Sequence, residues 1–488
     1  MGKNIAVIGS GFSALAASCY LAREGHQVTI YEKSPQLGGR ARQLKSDGFT
    51  FDMGPTWYWM PDVFERFFSD FNKVPSDYYS LIKLNPAYTV YFGKNDFITI
   101  EDTLEKILTA FEKEEAGSSI KLKKFIAHAK DNYNIAIKDL VYRPGVSPLE
   151  LITLKTAKKI DQFFSTISRE VRSEFKNPRL ISILEFPVLF LGAKPSRTPA
   201  FYNFMNYADF GLGTFHPKKG MYAVVEGMVK LAGELGVKIR SNQNVDRILV
   251  ENGKANAIAV DGEVIKADYI LSGADYHHTE TLLDTEHRQY SEAYWDKKIL
   301  APSALLFYVG FSKKIKNVAH HTLFFDVDFE AHSRAIYDFP EWPEEPLFYA
   351  SFPSESEDCF APEGKEAATF LIPLAPALED TPELREEYFG KILERLEKNT
   401  GQELRKYIIF KKSFCLSDFI SEYNSYKGNA YGLANTLLQT AFLRPKLKSG
   451  KVENLFFTGQ LTVPGPGVPP ALISGKLAAG LIEKQINA

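Results

Sequence analysis

The chain has 488 residues, 45% hydrophobic and 24% charged, a composition suited to a folded protein with core for about three domains. Its 58 Lys and Arg residues nearly balance 60 Asp and Glu residues, so the net charge of -2 gives no basis for a nucleic acid partner. Three widely separated cysteines, Cys19, Cys359 and Cys415, indicate neither a disulfide framework nor a zinc site, and a reducing cytoplasm fits them. The N-terminus has too little apolar length for a signal peptide. Nowhere do about 18 uncharged apolar residues follow one another, so no spanning helix is expected, while lying on a membrane surface stays open.

Asn4 to Gly9 (NIAVIG) reads as a buried strand, Ala14 to Glu24 as a helix closed by Gly25, and Gln27 to Glu32 (QVTIYE) as a second strand. Strand, glycine turn, helix and strand within about 30 residues predict a parallel βαβ unit. A long mixed region follows, with a lysine-rich helical stretch at Ser119 to Lys138 and an apolar run at Phe186 to Leu191. Met221 to Gly236 has helical spacing and again ends in glycine. Val237 to Ala274 then reads as short alternating strands, turned at Asn252-Gly253 and Asp261-Gly262. Further strands are expected at Ser303 to Phe311 and Ala368 to Leu374. Asn454 to Gly459 predicts a last buried strand, and Pro469 to Lys484 a helix of small residues that returns the chain to the opening sheet.

Gly9, Gly11 and Ala14 occupy the positions of a GxGxx(G/A) fingerprint, which needs a tight turn, close backbone approach to pyrophosphate and close helix packing. The helix that begins there would aim its N–H groups at phosphate, and Glu32 would accept hydrogen bonds from a ribose. Leu37 to Arg42 adds two glycines and an arginine, Arg40, able to pair with pyrophosphate; Asp52 to Pro55 (DMGP) offers another glycine turn. At the far end, Thr458-Gly459-Gln460 and Pro464 to Pro470 place open backbone immediately before a helix, suited to the pyrimidine edge of a flavin. That segment has no cysteine, so dissociable, non-covalent FAD is expected.

Two other features take plainer readings. His320-His321 is expected to be a packed or surface pair, because adjacent side chains on a strand point to opposite faces, and no metal is assigned. Arg444, Lys446, Lys448 and Lys451 read as a solvated basic loop, with lipid headgroups as the alternative contact.

The residues resemble the bacterial phytoene-desaturase type of carotenoid desaturases, within the amine-oxidase-like flavoproteins. Ile8 to Pro55 is similar to that family's opening, and Phe215 to Gly227 (FHPKKGMYAVVEG) to its W-x-P-x-G-G-x-x-x-L-V-x-G stretch. Asn244-Val245 resembles the site whose valine backbone meets adenine. Val318 to Thr322, Ala361 to Gly364, Gln439 to Pro445 and Asn454 to Gly480 follow in the family's order. One departure is that Gly459 to Pro470 reads GQLTVPGPGVPP, without the histidine the family often carries there.

The resemblance implies an α/β fold: a Rossmann-like FAD-binding core from 1–85, 217–280 and 445–488, and a discontinuous α+β substrate domain from 86–216 and 281–444. A membrane-facing helical part is expected around 115–200. The cofactor-binding residues it implies are Gly9, Ser10, Gly11, Phe12, Ser13, Ala14, Glu32, Lys33, Gly39, Arg40, Gly54, Pro55, Thr56, Val245, Gly459, Gln460, Gly467, Val468 and Pro469. It also implies hydride transfer from an allylic carbon of a polyene to FAD, a hydrophobic tunnel, and reoxidation by quinone or oxygen. Peripheral association with the inner face of the cell membrane goes with it. Phytoene and a later carotene or 1′-hydroxycarotenoid attacked at the 3,4 bond both remain open, and no general base is assigned. The alternatives are a carotenoid cis-trans isomerase or another amine-oxidase-like flavoenzyme, and a prenyl-lipid carrier of the same fold.

Overall fold

The structure is a computed structural model that describes residues 2–138, 140–151, 156 and 159–488. Asn4–Ile8 (β1), Phe12–Arg23 (α1) and Gln27–Tyr31 (β2) form the expected βαβ unit. β1 and β2 lie at the centre of a five-stranded parallel sheet, in the order Leu455–Phe457, Tyr269–Ser272, β1, β2, Lys238–Arg240. Strands from the two ends of the chain thus share one sheet.

Apart from the edge strand Lys238–Arg240, whose Lys238 and Arg240 are exposed, these strands are apolar on both faces, as a parallel sheet covered on both sides requires. Ile5, Val7, Ile30, Leu271 and Phe456 pack under the helices, while Ala6, Ile8, Tyr31, Ile270 and Phe457 pack against a three-stranded antiparallel meander. The meander strands are Val245–Glu251, Lys254–Val260 and Glu263–Lys266. Asn252, Gly253, Asp261 and Gly262 all have positive φ, the backbone that two-residue hairpins of this type demand. On the helical side, α1 packs against the C-terminal helix Val468–Ile486 and against Tyr222–Glu234. The approach of the first pair is close: a Cβ on Gly475 would lie 2.4 Å from the Ser13 carbonyl oxygen.

A second, seven-stranded sheet runs Ile408–Phe414, Ser303–Phe311, Glu366–Leu374, Phe348–Ser351, His321–Phe324, Tyr88–Gly93, Asp96–Ile100. Its neighbours are antiparallel except His321–Phe324 with Tyr88–Gly93. One face is covered by the helix Pro382–Thr400 through Phe389, Ile392 and Leu396. The opposite face meets Phe49 and Phe51 at one end, and there Gly310 leaves room for the Phe49 ring. Farther along, Ala304, Leu306 and Leu371 on that face line a cleft between the two sheets.

The helices Leu104–Glu114, Ser118–Lys138, Ile167–Glu174 and Pro178–Glu185 pack together, the first of them against the edge strand Asp96–Ile100 of the second sheet. Phe186–Leu191 continues the last of them as a 3-10 turn. Among the described residues no helix is long and apolar enough to cross a membrane. The region expected around 115–200 lies partly outside the described residues.

Candidate active site

β1 delivers the chain to Gly9, whose φ of +87° and whose approach to Ala274, 3.3 Å from a would-be Cβ, both call for glycine. Gly11 is constrained differently. Its φ is -65°, and a Cβ there would meet nothing within 4 Å, so the glycine leaves open the space ahead of α1. No side chain caps α1 and no acidic residue stands in its first turn. Its leading N–H groups and positive dipole end therefore address that space, which is the chemistry of a phosphate cradle.

At the end of β2, the Glu32 carboxylate accepts from the Ser10 N–H at 2.9 Å, the Ser10 hydroxyl at 2.7 Å and the Ser34 N–H at 2.8 Å. These donors fix a buried carboxylate at the cleft with lone pairs to spare, which suits ribose hydroxyls and opposes a 2′-phosphate. Gly38 donates its N–H to the Ser10 hydroxyl oxygen at 3.2 Å, and a Cβ on Gly39 would lie 3.4 Å from the Gly11 Cα. The Gly38-Gly39 turn thus closes over the cradle. Arg40 follows, donating from Nη2 to Ser425 Oγ at 2.9 Å and the Asn429 carbonyl at 3.3 Å. Burial lowers its pKa and Asp275 opposes that shift. Gly54 is fixed by contact, since a Cβ there would lie 2.2 Å from the Arg40 carbonyl oxygen.

The other end of the cleft is built by the C-terminal motif. Gly459 and Gly467 have φ of +110° and +114°, and the helix Val468–Ile486 starts at Gly467 with no side-chain cap and no acid in its first turn. A second uncapped helix start therefore faces the cleft. The open space at Gly11, the two free helix N-termini and the anchored carboxylate are a donor and acceptor set that fits FAD.

Of the expected cofactor residues, all but Ala14, Thr56 and Pro469 line this cleft. Ala14 instead lies beneath it, where a Cβ on Gly273 would come within 2.7 Å of its methyl group. Thr56 follows the cleft-lining Gly54-Pro55 and bonds its hydroxyl to Tyr349 OH at 2.8 Å. Pro469 stands in the first turn of the C-terminal helix.

Several lining residues carry no motif. His278 pairs with Asn424 at 2.9 Å, and burial, aided by Lys33, lowers its pKa to about 4, so it is neutral at physiological pH. Burial also lowers the pKa of Lys33, which donates to the Ser421 carbonyl and Asn424. Tyr431, half-buried at the sheet end of the cleft, has its pKa pushed up to about 12 by burial.

One reading of the sequence is corrected, and the packed histidine pair is found for a different reason than expected. Arg444 is not part of a solvated loop: it is 2% exposed and donates to the Leu433 and Gln460 carbonyls and to Asn435 Oδ1. It braces the two loops that flank the flavin end. His320 and His321 do not diverge to opposite faces of a strand, because the strand begins only at His321. Both are buried, with ring centroids 4.5 Å apart. Among the described residues, no group of three or more His, Cys, Asp or Glu side chains is arranged to hold a metal ion.

Residues 12–482 match the flavin containing amine oxidoreductase family. The chain is 41% identical to a carotenoid 3,4-desaturase of Haloarcula japonica, over 99% of this chain and 98% of the relative. It is 30% identical to a zeta-carotene-forming phytoene desaturase of Myxococcus xanthus, over 98% and 93%. Among solved structures, putrescine oxidase bound to putrescine is similar in fold, with a TM-score of 0.61 at 13% identity over 99% of both chains. A fingerprint, an anchored carboxylate and a second uncapped helix on one cleft agree with these likenesses, and the chain belongs to the flavin-containing amine oxidoreductase family as an FAD-dependent oxidoreductase.

Proposed function

We propose that this protein is an FAD-dependent carotenoid desaturase that acts on the 3,4 bond of a later carotene in preference to phytoene. The observation that carries this reading is the 41% identity, over nearly the whole of both chains, to the Haloarcula enzyme, against 30% for the phytoene enzyme. The cleft supports it. Its phosphate end is polar, while Ala304, Leu306, Leu371 and Tyr431 offer a mainly apolar wall to a hydrocarbon. FAD, when bound, supplies the acceptor for a hydride from an allylic carbon. The residues expected to hold it are those set out above, with Ala14, Thr56 and Pro469 acting from behind the surface. The helix start at Val468 would oppose the negative charge that develops on the reduced ring.

In this reading 1–85, 217–280 and 445–488 hold the cofactor, and 86–216 with 281–444 hold the polyene. Every strand of the five-stranded sheet comes from the first set and every strand of the seven-stranded sheet from the second.

The substrate is lipid-soluble, and we place its entry at an exposed apolar patch: Val146, Leu149, Phe164, Leu438 and Leu443 are 63%, 73%, 78%, 78% and 38% exposed. Their segments are neighbours. Lys446 Nζ bridges the Gly145 and Phe442 carbonyls; Ala200 donates its N–H to the Ser165 carbonyl, and Tyr202 OH, two residues on, bonds Thr440 Oγ1 at 3.0 Å. The patch supports peripheral contact with the inner face of the cell membrane, where quinone, or oxygen, would reoxidise the flavin.

The test is expression in cells that accumulate phytoene or γ-carotene, followed by pigment chromatography. A new, more conjugated product from γ-carotene alone is the expected result. A product from phytoene alone would overturn the bond assignment, and no product from either, with a yellow flavin-loaded protein, would overturn the desaturase reading.

A further inference from the structure

Behind the cleft a line of polar side chains leads away from Thr56. Thr56 Oγ1 bonds Tyr349 OH at 2.8 Å, and Tyr349 OH bonds His321 Nδ1 at 2.7 Å. The His321 ring is fully buried beneath Trp57, stacked at 4.0 Å, and its Nε2 has no hydrogen-bond partner. Ring centroids of His321 and His320 are 4.5 Å apart, as are those of His320 and His216. His216 Nε2 then meets Glu357 Oε2 at 3.1 Å, and the Glu357 side chain is 17% exposed. The line therefore starts one residue beyond the cleft-lining Pro55 and ends at solvent.

We propose that Thr56, Tyr349, His321, His320, His216 and Glu357 form a proton exit path from the substrate chamber to the surface. The inference rests on the desaturase reading, because that reaction creates the need. Hydride departs with two electrons from one carbon to oxidised FAD, and the neighbouring carbon loses a proton as its C–H electron pair closes the new double bond. Each turnover thus leaves one proton in an apolar chamber, where an unpaired charge is costly. The Thr56 hydroxyl takes that proton while passing its own to Tyr349, whose hydroxyl passes one in turn to His321 Nδ1. Small ring rotations hand it to His320 and His216, and Glu357 releases it to water.

The ionisation states agree. Burial lowers the pKa of all three imidazoles; His321 and His216 add to the shift at His320, His216 adds to it at His321, and Glu357 opposes it at His216. Neutral imidazoles can accept on one nitrogen and release from the other. Asp52 and Tyr431 face Tyr349, and Cys359 with Lys219 faces Glu357. Asp52 is pushed up to about 6, first by burial, so it must be controlled for in any pH profile.

The test is anaerobic stopped-flow bleaching of the flavin by carotene in the holoenzyme, from pH 5.5 to 9. The expected result is that His321→Gln slows bleaching roughly 10²-fold at every pH, the scale of a positioned acid-base group, because burial holds the imidazole pKa well below its ordinary value. Asp52→Asn should keep the wild-type rate at pH 8, where Asp52 is ionised, and added imidazole should restore much of the rate to His321→Gly. Nitrogen-15 NMR of the oxidised holoprotein gives a readout apart from activity. The three imidazoles should be neutral at pH 7, and Glu357→Gln should lower the titration of His216. A wild-type rate in His321→Gln, or imidazoles charged at pH 7, would overturn the path. Failure of every carotene to bleach the wild type would instead overturn the desaturase reading, and the path with it.

Discussion

Ser10 donates both its N–H and its hydroxyl to the same oxygen of Glu32, at 2.9 and 2.7 Å, so the end of β2 is locked to the turn that begins α1. Glu32→Ala would remove the ribose acceptor and strip two N–H donors of their partner. Hydrogen bonds to a charged group are worth about 1.5–3 kcal/mol, so FAD affinity should fall roughly 10- to 100-fold. Flavin fluorescence quenching during titration of the cofactor-free protein measures this, and an unchanged Kd would remove Glu32 from the ribose site.

Gly11 and Gly475 should separate binding from folding. Alanine at 11 meets nothing within 4 Å and keeps an ordinary φ, so the cofactor-free protein should unfold within about 0.5 kcal/mol of the wild type. FAD binding should nevertheless be lost, because the methyl group fills the space ahead of the helix. Alanine at 475 comes within 2.4 Å of the Ser13 carbonyl oxygen and should cost about 1–3 kcal/mol in the same urea titration, with or without FAD. Equal behaviour of the two variants would contradict both assignments.

This contrast also marks what sequence could convey. The Gly9 to Glu32 unit and the two Asx-Gly hairpins were legible because their backbone conformations demand particular residues within a few positions. The cleft residues His278, Asn424 and Tyr431 were not, since His278 sits in the short helix Tyr276–Thr281, the other two follow the helix Leu416–Tyr423 far along the chain, and none carries a local signature. Arg444 was misread for a related reason: among Lys446, Lys448 and Lys451 its charge looked like a solvated run. Nothing nearby in sequence announces the Leu433 and Gln460 carbonyls that receive it. The histidine pair is packed as expected, but not for the expected reason, as alternation of faces holds only inside a strand and the strand starts at the second histidine.

Arg444 deserves the same thermodynamic treatment as the glycines. Burial lowers its pKa to about 10, so it is charged at neutral pH, and neutral acceptors hold that charge. Arg444→Ala would leave those acceptors buried and unpaired, at a cost of about 3 kcal/mol. Arg444→Lys should recover little, because one ammonium cannot span acceptors on both loops. Urea midpoints for the two variants, together with their FAD affinity, check this; full recovery by lysine would show that charge alone matters.

A pH dependence follows from Asp209, which bonds Tyr88 OH at 2.7 Å. Burial pushes its pKa from 3.8 up to about 8, with the Tyr88 bond opposing. The folded state therefore holds a proton that the unfolded chain has lost, so this stability is fully present below about 4 and is lost as pH rises through about 8. Asp209→Asn should flatten the decline between pH 5 and 8 and be at least as stable as wild type at pH 8. Glu170, pushed up to about 7 mainly by burial, keeps some slope in the variant. Urea unfolding at several pH values decides it, and an unaltered slope would show that Asp209 titrates normally.

The exposed patch makes a prediction that the cleft does not. Leu149, Leu438 and Leu443 present their side chains to solvent on neighbouring segments, and burying a leucine in hydrocarbon is worth at most about 1.5–3 kcal/mol. Replacing all three with serine should lower binding to phospholipid vesicles by roughly 100-fold or more, read by co-sedimentation. FAD affinity and activity on detergent-dispersed carotene should stay near wild type, because none of the three lines the cleft. Loss of activity only when substrate is presented in vesicles would tie the patch to substrate entry. Unchanged vesicle binding would instead mean that these leucines do not meet the membrane, and the entry route would have to be sought on another face.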